Sequence, residues 1–251
     1  FFNMIILSIF FFITAILYSS VGFGGGSTYL ALLLIWDIPY YIFPVIALFC
    51  NIIVVTSNSL NYIQAGNHNF KLLMPFLLGS IPLAFIGGSL LIKKEIFEIL
   101  LFLVLTIAGL LLLKNNKSYQ EKSLKIKKLN RFVSFLIGSI LGLVSGIIGI
   151  GGGIFLSPIL FLLKADKPKI IATTASLFIL INSISGILGQ LTKKIVFNEI
   201  VNYWPLFLSV LIGGLIGNYL NLKYFSNRIL AVITSLLVIF VAIRMGYRIF
   251  I

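Results

Sequence analysis

The sequence predicts an all-α fold, a polytopic membrane helical bundle made of two homologous repeats. Hydrophobic residues make up 60% of the 251 residues and charged residues only 10%, whereas about a quarter of the residues in soluble proteins are charged. A glycine-rich stretch, Gly22–Gly26, returns 127 residues later as Gly149–Gly153. The composition indicates membrane spans, and the recurrence indicates that the spans are arranged in two related halves.

Eight apolar runs are long enough to cross a hydrocarbon core of about 30 Å. They cover residues 3–20, 40–62, 71–92, 95–113, 131–148, 169–190, 203–220 and 229–250. We therefore predict about eight spans. No Lys or Arg precedes the first run, which has a counterpart at 131–148, so we expect it to belong to the fold and not to a cleaved signal peptide.

The most charged segment lies between the two glycine-rich stretches. It runs from Lys114 to Arg131 and contains Glu121 as its only acid. Short basic joints between spans stay on the cytoplasmic side of a membrane. We therefore predict an N-terminal membrane repeat at 1–113, a basic cytoplasmic linker at 114–130 and a C-terminal membrane repeat at 131–251.

Each glycine-rich stretch precedes a short apolar segment, Ser27–Trp36 and Ile154–Leu163. Ten residues of helix span about 15 Å, half of a membrane. We expect Ser27 to be the N-cap of the first half-helix, and Pro158 to lie near the start of the second. A half-helix that begins inside a bundle directs free N–H groups and a positive dipole end at an anion. Helix lengths leave open whether the loops lie at mid-membrane or near one interface.

The repeat extends beyond the glycines, since Asn51 and Asn182 occupy matching apolar segments. If the short segments count as spans, each half has five and the repeats are inverted; if they are re-entrant, each half has four and the repeats are parallel. We favour the inverted arrangement. Gly138, Gly142 and Gly146 form a stripe at a spacing of four, which is typical of close helix packing.

The polar groups of the apolar interior are neutral. Asn51 and Asn58 share one helix face, as do Asn182, Gly186 and Gln190. A buried amide either joins helices or binds a ligand, and for the matched Asn pair both roles stay open. The predicted substrate-binding residues are Gly24, Gly25, Gly26, Ser27, Asn51, Gly151, Gly152, Gly153, Asn182 and Gln190.

Charge and chemistry exclude several function classes. The net charge of +13 sits in the joints between runs and forms no patch interleaved with aromatic residues, so we expect no nucleic-acid partner. The acids all lie near the ends of apolar runs, and the chain has one His and one Cys. We therefore predict no catalytic residues, no metal site, no cofactor and no proton relay through intramembrane carboxylates.

The doubled glycine motif, the Asn51 and Asn182 helices, and Leu78-Gly79-Ser80-Ile81-Pro82 followed by Gly87 resemble the TauE/SafE family of sulfite and organosulfonate exporters over nearly the whole chain. The resemblance implies a multi-pass protein of the bacterial inner (plasma) membrane that exports sulfite or a small organosulfonate. The joint at 64–69 departs from the more basic joint, with an acid, that many relatives carry.

The residues and the resemblance together favour a carrier that works by alternating access around a site between the two loops. Its partners would be a small anionic substrate and the lipid bilayer, and the oligomeric state is open. A passive anion channel built from the same donors is one alternative. The other is a membrane scaffold or enzyme subunit in which the glycines serve only packing.

Overall fold

The computed structural model describes residues 2–20, 22–114, 126–127, 129–193, 197–220 and seven residues between 236 and 247. The α-helices are α1 (Phe2–Ser19), α2 (Gly26–Ile35), α3 (Phe43–Gln64), α4 (Phe70–Ser89), α5 (Lys94–Lys114), α6 (Arg131–Ile148), α7 (Gly153–Leu162), α8 (Pro168–Gln190), α9 (Phe197–Ile200) and α10 (Trp204–Leu220). Single turns of 3-10 helix cover Tyr40–Ile42 and Val201–Tyr203. The described ranges contain no strand, which confirms the all-α prediction.

Within the described residues, five helices are long and apolar enough to cross a membrane. They are Tyr40–Gln64, Phe70–Ser89, Arg131–Ile148, Lys169–Gln190 and Val201–Leu220. Asn3–Ser19, Gly26–Ile35 and Gly153–Leu162 are shorter apolar helices. Most of the predicted linker and of the predicted span at 229–250 lies outside the described residues.

Two asparagines at helix starts show how local sequence sets the helix bounds. The Asn69 carboxamide oxygen accepts the Leu72 N–H at 3.1 Å, and the Asn130 oxygen accepts the Phe132 N–H at 2.9 Å. Each satisfies one backbone donor that the first turn of a helix leaves free. Asn69 also donates to the Asp166 carboxylate at 2.8 Å, so this hydrogen bond connects the joint before α4 to the joint before α8.

The direction of each helix follows from contacts at the two ends of the bundle. We call the end that carries the linker the linker end; there the Lys127 N–H donates to the Lys164 carbonyl at 3.0 Å. At the opposite, or far, end the Tyr41 hydroxyl donates to Glu199 at 2.6 Å. The α3 helix runs from the far end to the linker end, and α8 runs in the reverse direction.

The two short helices also run in opposite directions. In α2, Tyr29 stacks on Phe11 of α1 with ring centroids 4.8 Å apart, and Trp36 beyond its end reaches Phe10 at 5.5 Å. The α2 helix packs on α1 and leads to the 3-10 turn with Tyr41 at the far end, whereas α7 leads to Lys164 at the linker end. Opposite directions of the two short helices are what the favoured inverted arrangement requires.

Glycines allow the helices of the two halves to pack closely. A Cβ at Gly138, Gly142 or Gly146 of α6 would collide with the backbone of α4. The Cβ of residue 142 would lie 2.5 Å from Ser80 Cα, and that of residue 146 would lie 2.7 Å from the Gly88 nitrogen. The predicted packing role of this stripe is confirmed. A Cβ at Gly213 or Gly217 of α10 would likewise collide with the backbone of α1, so the first helix of each half packs against the other half.

We expect Gly142→Ala to lower the melting temperature of the purified protein clearly, because its methyl group has no room beside Ser80. Overpacking of this kind typically costs about 1–3 kcal/mol. Gly214→Ala is the matched control: its Cβ would lie 3.7 Å from Val54, an ordinary contact, and alanine favours a helix over glycine by about 1 kcal/mol. Thermal unfolding in detergent measures both, and equal melting temperatures would contradict the packing account.

The orientation can be tested with cysteines at the two ends of the bundle, since native Cys50 is fully buried. Leu91, at the far end, is 82% exposed, and His68 is exposed in the joint between α3 and α4 at the linker end. With a cytoplasmic linker, an impermeant thiol reagent should label Leu91→Cys in intact cells and His68→Cys only after permeabilisation. The reverse pattern would overturn the orientation.

Candidate functional site

The two glycine loops meet in the interior, and the Asn51 side chain of α3 lies between them. A Cβ at Gly26 would lie 2.8 Å from Asn51 Nδ2 and 2.7 Å from the Ile150 carbonyl oxygen of the second loop. A Cβ at Gly151 would also lie 2.8 Å from Asn51 Nδ2, and one at Gly24 would collide with Asn51 Oδ1. The structure therefore brings predicted site residues from both repeats around one amide.

Both half-helices begin at a glycine whose backbone is left-handed. Gly25 has φ 84° and Gly152 has φ 74°, and each is the N-cap of its helix. Left-handed backbone costs other residues about 1–2 kcal/mol, so these two glycines are needed for the backbone turn itself. The predicted half-helices are confirmed with bounds one residue earlier than expected.

Two details of the predicted helix starts are wrong. Ser27 is not the N-cap, because Gly25 takes that position and Ser27 is already the second helical residue. Its buried hydroxyl has no hydrogen-bond partner in the described structure. Pro158 lies at the sixth position of α7, past the first turn, where its missing N–H removes an intrahelical hydrogen bond.

Asn51 is fully buried, and neither its Nδ2 nor its Oδ1 has a hydrogen-bond partner among the described residues. A buried polar group without a partner typically costs about 1–3 kcal/mol. Most buried amides in proteins are satisfied, so this one requires a reason. Its Nδ2 lies beside two helix N-termini, whose free N–H groups are donors as well. A ligand that accepts hydrogen bonds would satisfy these donors, although not Asn51 Oδ1.

The surroundings of Asn51 are neutral. A Cβ at Gly24 or Gly151 would lie 3.2 Å or 2.8 Å from Ile179 Cγ2, and Ser183 Oγ lies 3.4 Å from the Gly151 Cβ position. The Ser183 hydroxyl is buried and, in the described part of the chain, unpartnered. The arrangement offers amide and hydroxyl donors and two positive helix ends to an anion. None of the described residues in these contacts is a lysine or an arginine.

Asn182 has a different environment from its counterpart Asn51. Its Nδ2 donates to the Phe178 carbonyl of its own helix at 2.8 Å, while its buried Oδ1 has no partner in the described residues. A Cβ at Gly152 or Gly153 would meet Phe178 or Ile179 of the same helix. The α8 helix thus contacts the second loop through the turn that precedes Asn182.

Gln190 lies apart from the other predicted site residues. It ends α8, seven residues or about 10 Å of helix beyond Ser183, and it donates to the Gly146 carbonyl at 3.1 Å. The sequence analysis missed Ile179 and Ser183, which the structure places against Gly151. Their spacing of four on one helix face was the available signal.

Comparison with known proteins gives two kinds of match. The family model "Sulfite exporter TauE/SafE" matches residues 7–245. A probable membrane transporter protein, y4hK of Sinorhizobium fredii, is 28% identical over 92% of this chain and 93% of its own length. A second, MJ0441 of Methanocaldococcus jannaschii, is 30% identical over 73% of this chain and 70% of its own length. No solved structure matches the chain significantly.

Proposed function

The chain belongs to the sulfite exporter TauE/SafE family of membrane transporters, and from that premise we propose that it exports sulfite or a small organosulfonate by alternating access around Asn51. The buried and unpartnered Asn51 amide between the two glycine loops is the observation that carries this proposal. The proposal assigns the protein to the inner (plasma) membrane, with the basic linker in the cytoplasm.

Sulfite and sulfonates suit this site because each has three oxygens around one sulfur. These oxygens accept several convergent N–H and O–H donors, of which Asn51 Nδ2 and the Ser183 hydroxyl are two that lack partners in the described structure. Each helix N-terminus contributes roughly 0.3–2 kcal/mol to anion binding. Neutral donors and two dipoles give a modest affinity, which permits the ion to leave on the other side.

Alternating access needs a site that opens to one end of the bundle at a time. Asn51 is 0% exposed, so the described conformation is closed around it. The α2 and α7 helices leave this point toward opposite ends, and their loops touch where Gly26 faces Ile150. Rocking of one inverted half against the other would part this contact and expose Asn51 to the linker end or to the far end.

Counterflow in proteoliposomes tests the proposed function. Vesicles loaded with unlabelled sulfite should transiently accumulate labelled sulfite from outside when they contain the protein, because a carrier exchanges substrate across its closed state. An organosulfonate such as methanesulfonate, loaded in place of sulfite, tests the second substrate class. Conductive sulfite flux without counterflow would indicate a channel, and no flux of either anion would overturn the substrate assignment.

A further inference from the structure

A cavity lies at the far end of the bundle, apart from the Asn51 site. Its volume is about 350 Å³, and it is bounded by the 3-10 turn before α3, the joint between α4 and α5, and the ends of α6 and α8. Pro44 and Ile147 form part of its wall. A Cβ at Gly149 would lie 2.7 Å from the Pro44 carbonyl oxygen, so the cavity adjoins the second glycine loop.

Lys193 is the only charged residue that lines this cavity in the described structure. Its Nζ donates to Gln190 Oε1 at 3.0 Å, and the Gln190 Nε2 donates in turn to the Gly146 carbonyl at 3.1 Å. The amide is thus fixed to α6 and holds the ammonium at the cavity wall. The remaining walls are tyrosine rings and apolar side chains.

The Lys193 ammonium is not neutralised by a described carboxylate. The ion pair that the described residues form joins Lys94 to Glu98. The Glu199 carboxylate accepts from the hydroxyl of Tyr41, which lines the cavity. Burial lowers the pKa of the Lys193 amine to about 8. A partly desolvated cation without a counter-charge is stabilised by an anion that enters beside it.

We propose that Lys193, positioned by Gln190, forms a second oxyanion site in the far-end cavity, at the outer mouth of the transport path. The ligand class is a small sulfur oxyanion, and the proposal rests on the proposed function. The site would take the anion as it leaves the glycine loops and release it outward. Gln190, which the sequence analysis assigned to substrate binding, would act here as a positioning residue.

Protection of Lys193 from acetylation tests this site directly in the purified full-length protein. Acetylation requires the neutral amine, which is the minor form of Lys193 at neutral pH. An anion within about 4–6 Å raises the lysine pKa and lowers the fraction of neutral amine about tenfold. Saturating methanesulfonate should therefore slow acetylation of Lys193 about tenfold. Exposed Lys93, at the same end of the bundle, is the internal control. Dimethyl sulfone, of similar shape but uncharged, should protect neither lysine.

Counterflow of the Lys193→Gln variant is the second measurement, with Lys93→Gln as the matched control. Loss of one charge-assisted hydrogen bond should raise the half-saturating sulfite concentration about tenfold in Lys193→Gln. This control should resemble the wild type, because Lys93 does not line the cavity. The second site alone is overturned if the wild type shows counterflow, Lys193 is not protected from acetylation, and Lys193→Gln leaves the half-saturating sulfite concentration unchanged. If methanesulfonate protects Lys193 but the wild type shows no counterflow, the anion site stands and the proposed carrier function is overturned. If neither protection nor wild-type counterflow is seen, both proposals are overturned.

Discussion

Replacing Asn51 by leucine should abolish sulfite counterflow and leave the protein at least as stable as the wild type. Leucine has a similar size and removes two buried polar atoms that have no partner in the described structure, whose burial costs about 1–3 kcal/mol. Each hydrogen bond lost to a charged ligand weakens binding by about 1.5–3 kcal/mol, at least about tenfold. Counterflow and ligand-free melting of the purified variant measure the two effects.

Asn58→Leu is the matched control on the same face of α3. Its Oδ1 accepts the Ser19 hydroxyl at 3.3 Å and so joins α3 to α1. This variant should lose stability and retain transport in the fraction that folds. If Asn51→Leu instead melted early and carried sulfite normally once folded, Asn51 would be a structural amide and the site would lie elsewhere.

Gly24→Ala should impair both stability and transport, because the new methyl group would displace the Asn51 side chain. The Cβ position collides with Asn51 Oδ1 and lies 2.9 Å from its Cγ, with Ile179 Cγ2 at 3.2 Å. The backbone of Gly24 is not left-handed, so the expected cost of about 1–3 kcal/mol comes from overpacking alone.

A double-mutant cycle isolates this contact. In an Asn51→Ala background the methyl group introduced by Gly24→Ala has room. Most of the destabilisation by Gly24→Ala should therefore disappear, while transport stays absent. Contacting residues show coupling energies of about 0.5–3 kcal/mol in such cycles. Strictly additive melting effects would mean that the first loop does not pack on Asn51. Gly25→Ala is a poor substitute for this test, because the left-handed backbone at Gly25 makes any side chain costly.

The sequence predicted the helical elements well because their signals are local. Three consecutive glycines stop a helix, and ten apolar residues before the next joint define a half-helix, so both short helices were placed within one residue of α2 and α7. Ser27 was assigned wrongly because serine and glycine are both common N-cap residues. Only the backbone angles show that Gly25 has that role.

The site was only partly predictable because its contacts join distant parts of the chain. The equal spacing of the glycine motifs indicated two related loops, but nothing local shows that Gly26 faces Ile150 or that Asn51 lies between them. The two matched asparagines also differ: Asn182 Nδ2 donates to its own helix, whereas Asn51 has no described partner. Lys193 follows Gln190 in a joint between apolar runs, and nothing local shows that it lines a cavity.

Sulfite binding to purified wild type and Asn51→Leu, measured by isothermal titration calorimetry, tests the central claim most directly. The account predicts that the wild type binds sulfite with modest affinity and that the folded Asn51→Leu variant loses binding at the central site. Any heat that remains in the variant should then disappear when Lys193→Gln is added. Sulfite binding of wild-type affinity that persists in the folded double variant would contradict the assignment of the substrate site to Asn51 and the two glycine loops.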